Sequence, residues 1–308
     1  MKEKMTQPHS PNTHVLYSPW LLFQLIWEFT QSDVLTFVLP NSAFGILSAL
    51  AAAGFSIDCP QPNWEQVLFR SPVVVAFNWY SVLLFTLANQ RRPESIQEDA
   101  INKPWRPVPS NRVQPELVRK AMLVLIPLSK ALNYSIGLWQ EGLMIQVLTW
   151  MYNDLRAGNE LIRDAVIAVA YGFFNLASLK IAQGPNCHIS TPVYLWILTV
   201  SGVILTTMQI QDLKDQEGDR TRLRKTIPLV FGETFSRVTI AAFTCVWTEL
   251  AVKFWKLGWL DAIATRTIAL TLVGRVLTKK GVGEDRNNWK LWCFWTVSLY
   301  SMPLISHQ

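Results

Sequence analysis

Charge is scarce in this sequence. Only 16% of its 308 residues are Asp, Glu, Lys or Arg, against roughly 25% in an average soluble chain, while half are hydrophobic. That balance excludes an ordinary water-soluble globule and points to a bilayer as the solvent. Cysteine is rarer still: Cys59, Cys187, Cys245 and Cys293 have neither metal-ligand spacing nor the pattern of a disulfide framework. The first 13 residues lack the basic-then-apolar order of a cleavable signal peptide, so membrane entry is expected to begin at the first spanning helix. The net charge of +6 is no nucleic-acid footprint, because the basic residues sit in short loops between apolar runs. There they act as topology signals, and the lipid bilayer, not nucleic acid, is the expected partner.

What the sequence has in plenty is long apolar runs. A crossing takes about 20 mainly apolar helical residues, since unpaired backbone groups are not tolerated in lipid. Nine runs are candidates: 34–53, 72–88, 120–138, 142–155, 164–182, 192–210, 236–255, 257–277 and 289–306. The fold class expected is therefore all-α, a polytopic membrane domain of about nine helices over 34–308. Residues 1–33 stand apart as a polar N-terminus and an amphipathic interfacial helix over 14–30, with Trp20, Leu21, Leu22, Leu25, Ile26 and Trp27. Basic loops alternate with poor ones. Arg91, Arg92, Lys103, Arg106 and Arg112 follow the second run, Arg156 and Arg163 the fourth, Lys214, Arg220, Arg222, Arg224 and Lys225 the sixth, and Lys279, Lys280 and Arg286 the eighth. Basic loops mark the cytoplasmic side, which places the N-terminus and these loops there.

Two of the basic loops also carry clustered acids. The second holds Asp212, Asp215, Glu217 and Asp219. Three and four residues apart, the three aspartates would share one face of a helical continuation and would repel one another unless a cation sat among them. Mg²⁺ takes such oxygen ligands and bridges them to substrate phosphates. The first loop, with Glu94, Glu98 and Asp99, supplies an opposing jaw on the same side. Lys103, Arg106, Lys214, Arg220 and Lys225 would neutralise the remaining phosphate charge. The pattern points to a diphosphate head at the interface and a lipid tail among the helices.

These residues resemble the UbiA superfamily of intramembrane prenyltransferases. Asp99-Ala-Ile-Asn-Lys-Pro-Trp-Arg-Pro is similar to the Asp-x-x-Asn-Lys-Pro-x-Arg-Pro ending of that family's first motif. Asp212-x-x-Asp215-x-x-x-Asp219, followed by Thr226-Ile-Pro-Leu-Val-Phe-Gly232, is similar to the second. The resemblance implies nine helices around a central cavity and Mg²⁺ held with a prenyl diphosphate. One departure stands out: counting back from Asp99, Ser95 and Arg91 occupy positions where the usual motif has an acid and an amide. Asn89 lies upstream instead, and Glu98 adjoins Asp99. This looks like the fungal branch, which includes membrane-bound sesquiterpene cyclases, and with it comes an expected endoplasmic-reticulum location.

The leading expectation is a Mg²⁺-dependent terpene cyclase acting on farnesyl diphosphate. Asp99, Asp212 and Asp215 are the expected catalytic residues; Glu98, Asp99, Asp212, Asp215 and Asp219 the metal ligands; Asn89, Lys103, Arg106, Arg220 and Lys225 the diphosphate contacts. The alternatives are a UbiA-type prenyltransferase with an aromatic or polyketide acceptor, a protonation-initiated cyclase with Glu98 or Asp99 as acid, and a transporter. Trp79, Tyr80, Tyr134, Trp150, Tyr152, Tyr171, Phe173 and Phe174 are candidates to face an allylic cation. Among ionisable residues in the apolar runs, Lys130 and Arg266 stand alone, whereas Glu249 and Lys253 are spaced to pair. Asn78, Asn133 and Asn175 are expected to bond between helices, and His188, on the opposite side, is given no role.

Overall fold

The computed structural model describes residues 18–51, 63–185 and 189–306, and among these it is helical without strands. Cys59, Cys187 and His188 lie outside the described residues. The helices are α1 Pro19–Leu50, α2 Trp64–Gln90, α3 Pro93–Asn102, α4 Pro115–Ser135, α5 Trp139–Asn153, α6 Arg163–Gln183 and α7 Thr191–Lys214. They continue with α8 Gln216–Thr221, α9 Ile227–Val230, α10 Glu233–Phe254, α11 Ile263–Thr278, α12 Val282–Tyr300 and α13 Met302–Ile305.

Five of them, α1, α2, α6, α7 and α10, are long and apolar enough to cross a membrane. The other four long helices fall short for identifiable reasons. α5 and α11 have 15 and 16 residues, a rise of about 22–24 Å against a hydrocarbon core of about 30 Å. α4 carries Glu116, Arg119, Lys120 and Lys130, and α12 carries Glu284, Asp285, Arg286 and Lys290. Among the described residues five helices therefore meet that standard, against nine apolar runs in the sequence.

α1 is continuous across position 33, where the sequence suggested a change from interfacial to spanning helix. Its irregularity is a π-helical turn, Val34–Val38, just before Pro40. Proline lacks an N–H and crowds the preceding turn, and here the side chain of Asn41 donates to the Phe37 carbonyl at 2.7 Å. The widened turn presents Asp33 and Phe37 to the interior cavity, as π turns commonly do at functional sites.

α6 is the central helix, packed on α1, α2, α5 and α7, while α10, α11 and α12 form a second group against α7 and α1. The α1–α6 contact depends on a glycine: a Cβ at Gly45 would lie 2.5 Å from the Ser178 backbone. Small residues allow this close approach of helices in lipid. Asn78 donates to Ser42 and Ser178 at 3.0 and 2.9 Å, and Asn133 accepts from Tyr80. Both bond between helices. Glu249 pairs with Arg266 of α11 at 2.8 Å, not with Lys253, because the neighbouring helix offers a bidentate guanidinium.

The four basic loops gather at one end of the bundle. Arg91 and Arg92 reach Asp154 at 2.6 and 3.3 Å, Arg222 donates to Asn159 at 2.8 Å, and Arg237 donates to the Lys279 carbonyl at 3.3 Å. At the opposite end, Arg70 caps the last turn of α6 through the Gln183 carbonyl at 2.6 Å.

Candidate active site

The π turn of α1 and the basic-loop ends of α2, α5, α6 and α7 enclose a cleft of about 950 Å³ with its mouth included. At the mouth stand Asp33, Glu98, Asp212, Asp215 and Asp219, with Lys103, Arg106, Arg163 and Arg224. Below them the lining turns apolar: Phe37, Val82, Phe85, Ile145, Leu148, Val166, Ile167, Ala170 and Phe174.

The first acidic loop folds as α3, opened by Pro93 and stopped before Pro104, which disfavours helix in the residue ahead of it. Adjacent residues on a helix point about 100° apart, so Glu98 and Asp99 cannot share a direction. Glu98 lines the cavity and accepts from Arg222 and Arg224 at 2.9 and 3.0 Å. Burial pushes its carboxyl up, but Arg224, Arg222 and Lys103 outweigh it and bring it down to about 2. Asp99 is turned away from the cavity lining, its two carboxylate oxygens taking Arg106 Nη1 at 3.0 and 2.8 Å. Arg106 also donates to Ser32 and Asp33 of α1 at 2.7 and 3.0 Å.

The second loop departs from the expected α-helical continuation. α7 tightens into a 3₁₀ turn over Met208–Lys214, breaks at Asp215, and resumes as α8. All three aspartates still face the cavity, because i and i+3 eclipse in a 3₁₀ turn and α8 brings Asp219 back. Asp212 takes Arg163 at 2.7 Å and Asp215 takes Lys214 at 2.5 Å. Burial raises the Asp215 carboxyl, yet Lys214 and Lys103 bring it down to about 2. Asp219 is pushed up to about 8 by burial, which Arg224 opposes and the neighbouring Asp212 and Glu98 carboxylates reinforce.

Asn102 ties the two loops together. Its Nδ2 donates to the Asp215 carbonyl at 2.9 Å, and its Oδ1 accepts from the Gly218 N–H at 3.2 Å. A Cβ at Gly218 would lie 2.3 Å from the Asn102 amide, so the approach requires glycine there. The departures in the first motif also find partners. Ser95 accepts from Arg222 at 2.7 Å, and Arg91 turns outward to Asp154.

Of the expected diphosphate contacts, Asn89, Lys103 and Arg106 line the cavity. Arg220 and Lys225 do not: both are exposed, and Lys225 pairs with Glu160 at 2.7 Å. Leu223 takes a left-handed conformation, φ 56°, and Arg222 and Arg224 on either side of it are the loop's buried guanidiniums. Arg163 and Arg224 were legible only as loop charge. Each donates to the Tyr152 hydroxyl, at 3.1 and 3.3 Å. Among the expected aromatics, Tyr152 and Phe174 line the cavity, with Phe37 and Phe85 as unforeseen companions. Tyr134 and Trp150 are exposed, Trp79 bonds Thr30, and Tyr171 bonds the Thr36 carbonyl.

The donor set can be tested against a magnesium-type cation. Glu98, Asp212, Asp215 and Asp219 bring only hard carboxylate oxygens to one cavity, which suits Mg²⁺, and burial, with the Asp212 and Glu98 carboxylates adding to it, raises the Asp219 carboxyl there. Among the described residues no three such groups converge on one point, each carboxylate being turned to an arginine or lysine. The chemistry fits, and binding requires these ion pairs to open toward the cation.

The sequence pattern of the UbiA prenyltransferase family matches residues 51–297. The chain belongs to that family. Within it, the chain is similar to somaliensene A/B synthase of Streptomyces somaliensis, 29% identical over 299 residues, covering 92% of this chain and 94% of that one. It is also similar to fumagillin beta-trans-bergamotene synthase of Aspergillus fumigatus, 23% identical over 290 residues and covering 93% of each. A solved UbiA homologue from Archaeoglobus fulgidus, bound to GPP and Mg²⁺, shares the fold with a TM-score of 0.56 at 11% identity, covering 91% of this chain and 99% of that one.

Proposed function

We propose that this UbiA-family protein is a Mg²⁺-dependent membrane terpene cyclase that ionises farnesyl diphosphate and releases diphosphate and a cyclic sesquiterpene. The observation that carries the reading is the polarity of the cavity along its depth, with carboxylates and guanidiniums at the mouth and aliphatic and aromatic side chains beneath. That gradient suits a diphosphate head on a hydrocarbon tail. The two relatives are named as synthases, and Mg²⁺ with a prenyl diphosphate accompanies the archaeal homologue; both support the assignment.

Glu98, Asp212, Asp215 and Asp219 would hold Mg²⁺, which when bound supplies positive charge to the departing diphosphate. Arg163, Arg224, Lys103 and Arg106 offer N–H donors to the same oxygens, a preorganised electrostatic cradle. As the C1–O bond breaks, its electron pair leaves with the diphosphate and the chain becomes an allylic cation. Phe37, Phe85, Phe174 and Tyr152 line the cavity and bring aromatic rings that can stabilise it, and the apolar wall keeps water from quenching it. Attack by a distal double bond closes a ring, and loss of a proton ends the reaction. The same reading takes all nine long helices as crossings and sets the basic loops on the cytoplasmic side of the endoplasmic reticulum.

A second reading, transfer of the prenyl group to an aromatic or polyketide acceptor, has one observation in its favour. A neighbouring open cleft, about 1010 Å³ with its solvent-facing mouth included, shares Asp33, Lys103, Gln211 and Asp215 with the cavity and is a place where an acceptor could enter. The deciding experiment supplies proteoliposomes with farnesyl diphosphate and Mg²⁺ but no acceptor, then identifies products by gas chromatography and mass spectrometry. A cyclic fifteen-carbon product, lost in Asp212→Ala, is expected. Product only after an aromatic acceptor is added would favour transfer, and no diphosphate release under either condition would sink both.

A further inference from the structure

The tail end of the cavity is closed, and the depth at which it closes carries chemical information. On α6 the lining residues run from Arg163 beside the acids to Phe174, a rise of about 16 Å. On α2 they run from Asn89 to Val82, and on α5 from Tyr152 to Ile145, about 10 Å each. Beneath them Phe174 packs against Phe37 and Phe77, with ring centroids 6.0 and 6.4 Å apart. Val38, Leu138 and Ala177 complete this buried cluster, so the rings are backed by packed side chains.

An extended carbon chain advances about 1.27 Å per bond, so a five-carbon prenyl unit with four backbone bonds takes about 5 Å. A depth of about 10–16 Å accommodates two to three units. We propose that Phe174, backed by Phe77, is the floor that sets chain length, admitting prenyl diphosphates of fifteen carbons or fewer. The inference rests on the prenyl diphosphate reading above and adds to it a length limit and the residue that imposes it. A fourth unit brings the extended chain to about 20 Å and into the Phe174 ring. To remain above the ring, the chain must fold back into space that the first three units use. Small differences in apolar bulk discriminate substrates by roughly ten- to two-hundredfold, and a whole prenyl unit is a large difference.

The test compares kcat/KM, read as diphosphate release in proteoliposomes, for geranyl, farnesyl and geranylgeranyl diphosphate. The wild-type protein should prefer the fifteen-carbon substrate to the twenty-carbon one by at least about tenfold. Phe174→Ala should raise the twenty-carbon to fifteen-carbon ratio by about tenfold or more, and Ala170→Phe, one turn nearer the head, should move preference toward the ten-carbon chain. Phe174→Leu provides a milder opening if the alanine variant fails to fold, checked by its elution as a monodisperse species. Equal use of the three chains by the wild type, or ratios unmoved in both the Phe174 and Ala170 variants, would overturn the floor while leaving prenyl diphosphate ionisation intact. Absence of release with every chain length would overturn the functional reading itself, and the floor with it.

Discussion

The two acidic loops do similar work with opposite internal arrangements. Asp212, Asp215 and Asp219 all face the cavity, and burial pushes one of them, Asp219, up to about 8. In α3 the acids divide: Glu98 faces inward under two guanidiniums, while Asp99 turns back to hold Arg106. The second loop therefore crowds three carboxylates into one cavity, each beside a basic side chain, and the first spends its acids on fixing arginines. Carboxylates crowded together in a buried site are the ones a divalent cation stabilises most.

This contrast yields graded expectations. Asp212→Ala and Asp215→Ala should each lower diphosphate release by at least about a thousandfold, since they remove charge that faces the reacting head directly. Measurable release at a tenth of the wild-type rate would end the metal assignment. Glu98→Gln should cost roughly ten- to a hundredfold in kcat/KM, because Arg222 and Arg224 lose the carboxylate that orients them. Asp99→Asn should act mainly on stability. Arg106 keeps Asp33 at 3.0 Å but loses the Asp99 carboxylate, which costs up to about 3 kcal/mol, visible as a lowered thermal unfolding midpoint, with turnover per folded molecule falling less than in Glu98→Gln. An unchanged midpoint with abolished turnover would break the comparison by moving Asp99 into the cavity set.

The pH dependence sharpens it further. Below about 8 the Asp219 carboxyl keeps its proton, and a cation must displace that proton to bind. Raising the pH from 6 to 8 should therefore tighten Mg²⁺ binding by up to about tenfold per unit, measured by titration calorimetry. Glu98 and Asp215, pushed down to about 2, are already ionised across this range and add no slope. Asp219→Asn should flatten the profile. At the small end, Arg220→Ala and Lys225→Ala should change kcat/KM by no more than about twofold, as befits exposed charges.

The last expectation also marks what sequence reading could reach. The Asn102-Lys-Pro and Asp212, Asp215, Asp219 patterns lie together at one end of the bundle, because spacing and loop charge survive translation into three dimensions. Which of two adjacent acids faces inward did not, since Glu98 and Asp99 differ only by a rotation set by α3 packing on α8. Arg220 and Lys225 were as basic as Arg222 and Arg224, and the left-handed turn at Leu223 decides which pair is buried. Arg163 meets Asp212 across 49 positions of sequence, a contact that no local pattern encodes. Hydropathy found the apolar runs, while the charges on α4 and α12 and the shortness of α5 and α11 limit the clear membrane spans to five.

The Asn102 clasp has a consequence for how such a site changes over evolutionary time. It grips the second loop by main-chain atoms alone, the Asp215 carbonyl and the Gly218 N–H. Of the side chains between those grips, Gln216 donates to the Leu213 carbonyl at 3.1 Å, while Glu217 is exposed. A substitution at 215, 217 or 219 leaves both gripped main-chain atoms in place, so charge or ligand type can change while the clasp persists. A single amide thus separates the heritable geometry of this site from its exchangeable chemistry.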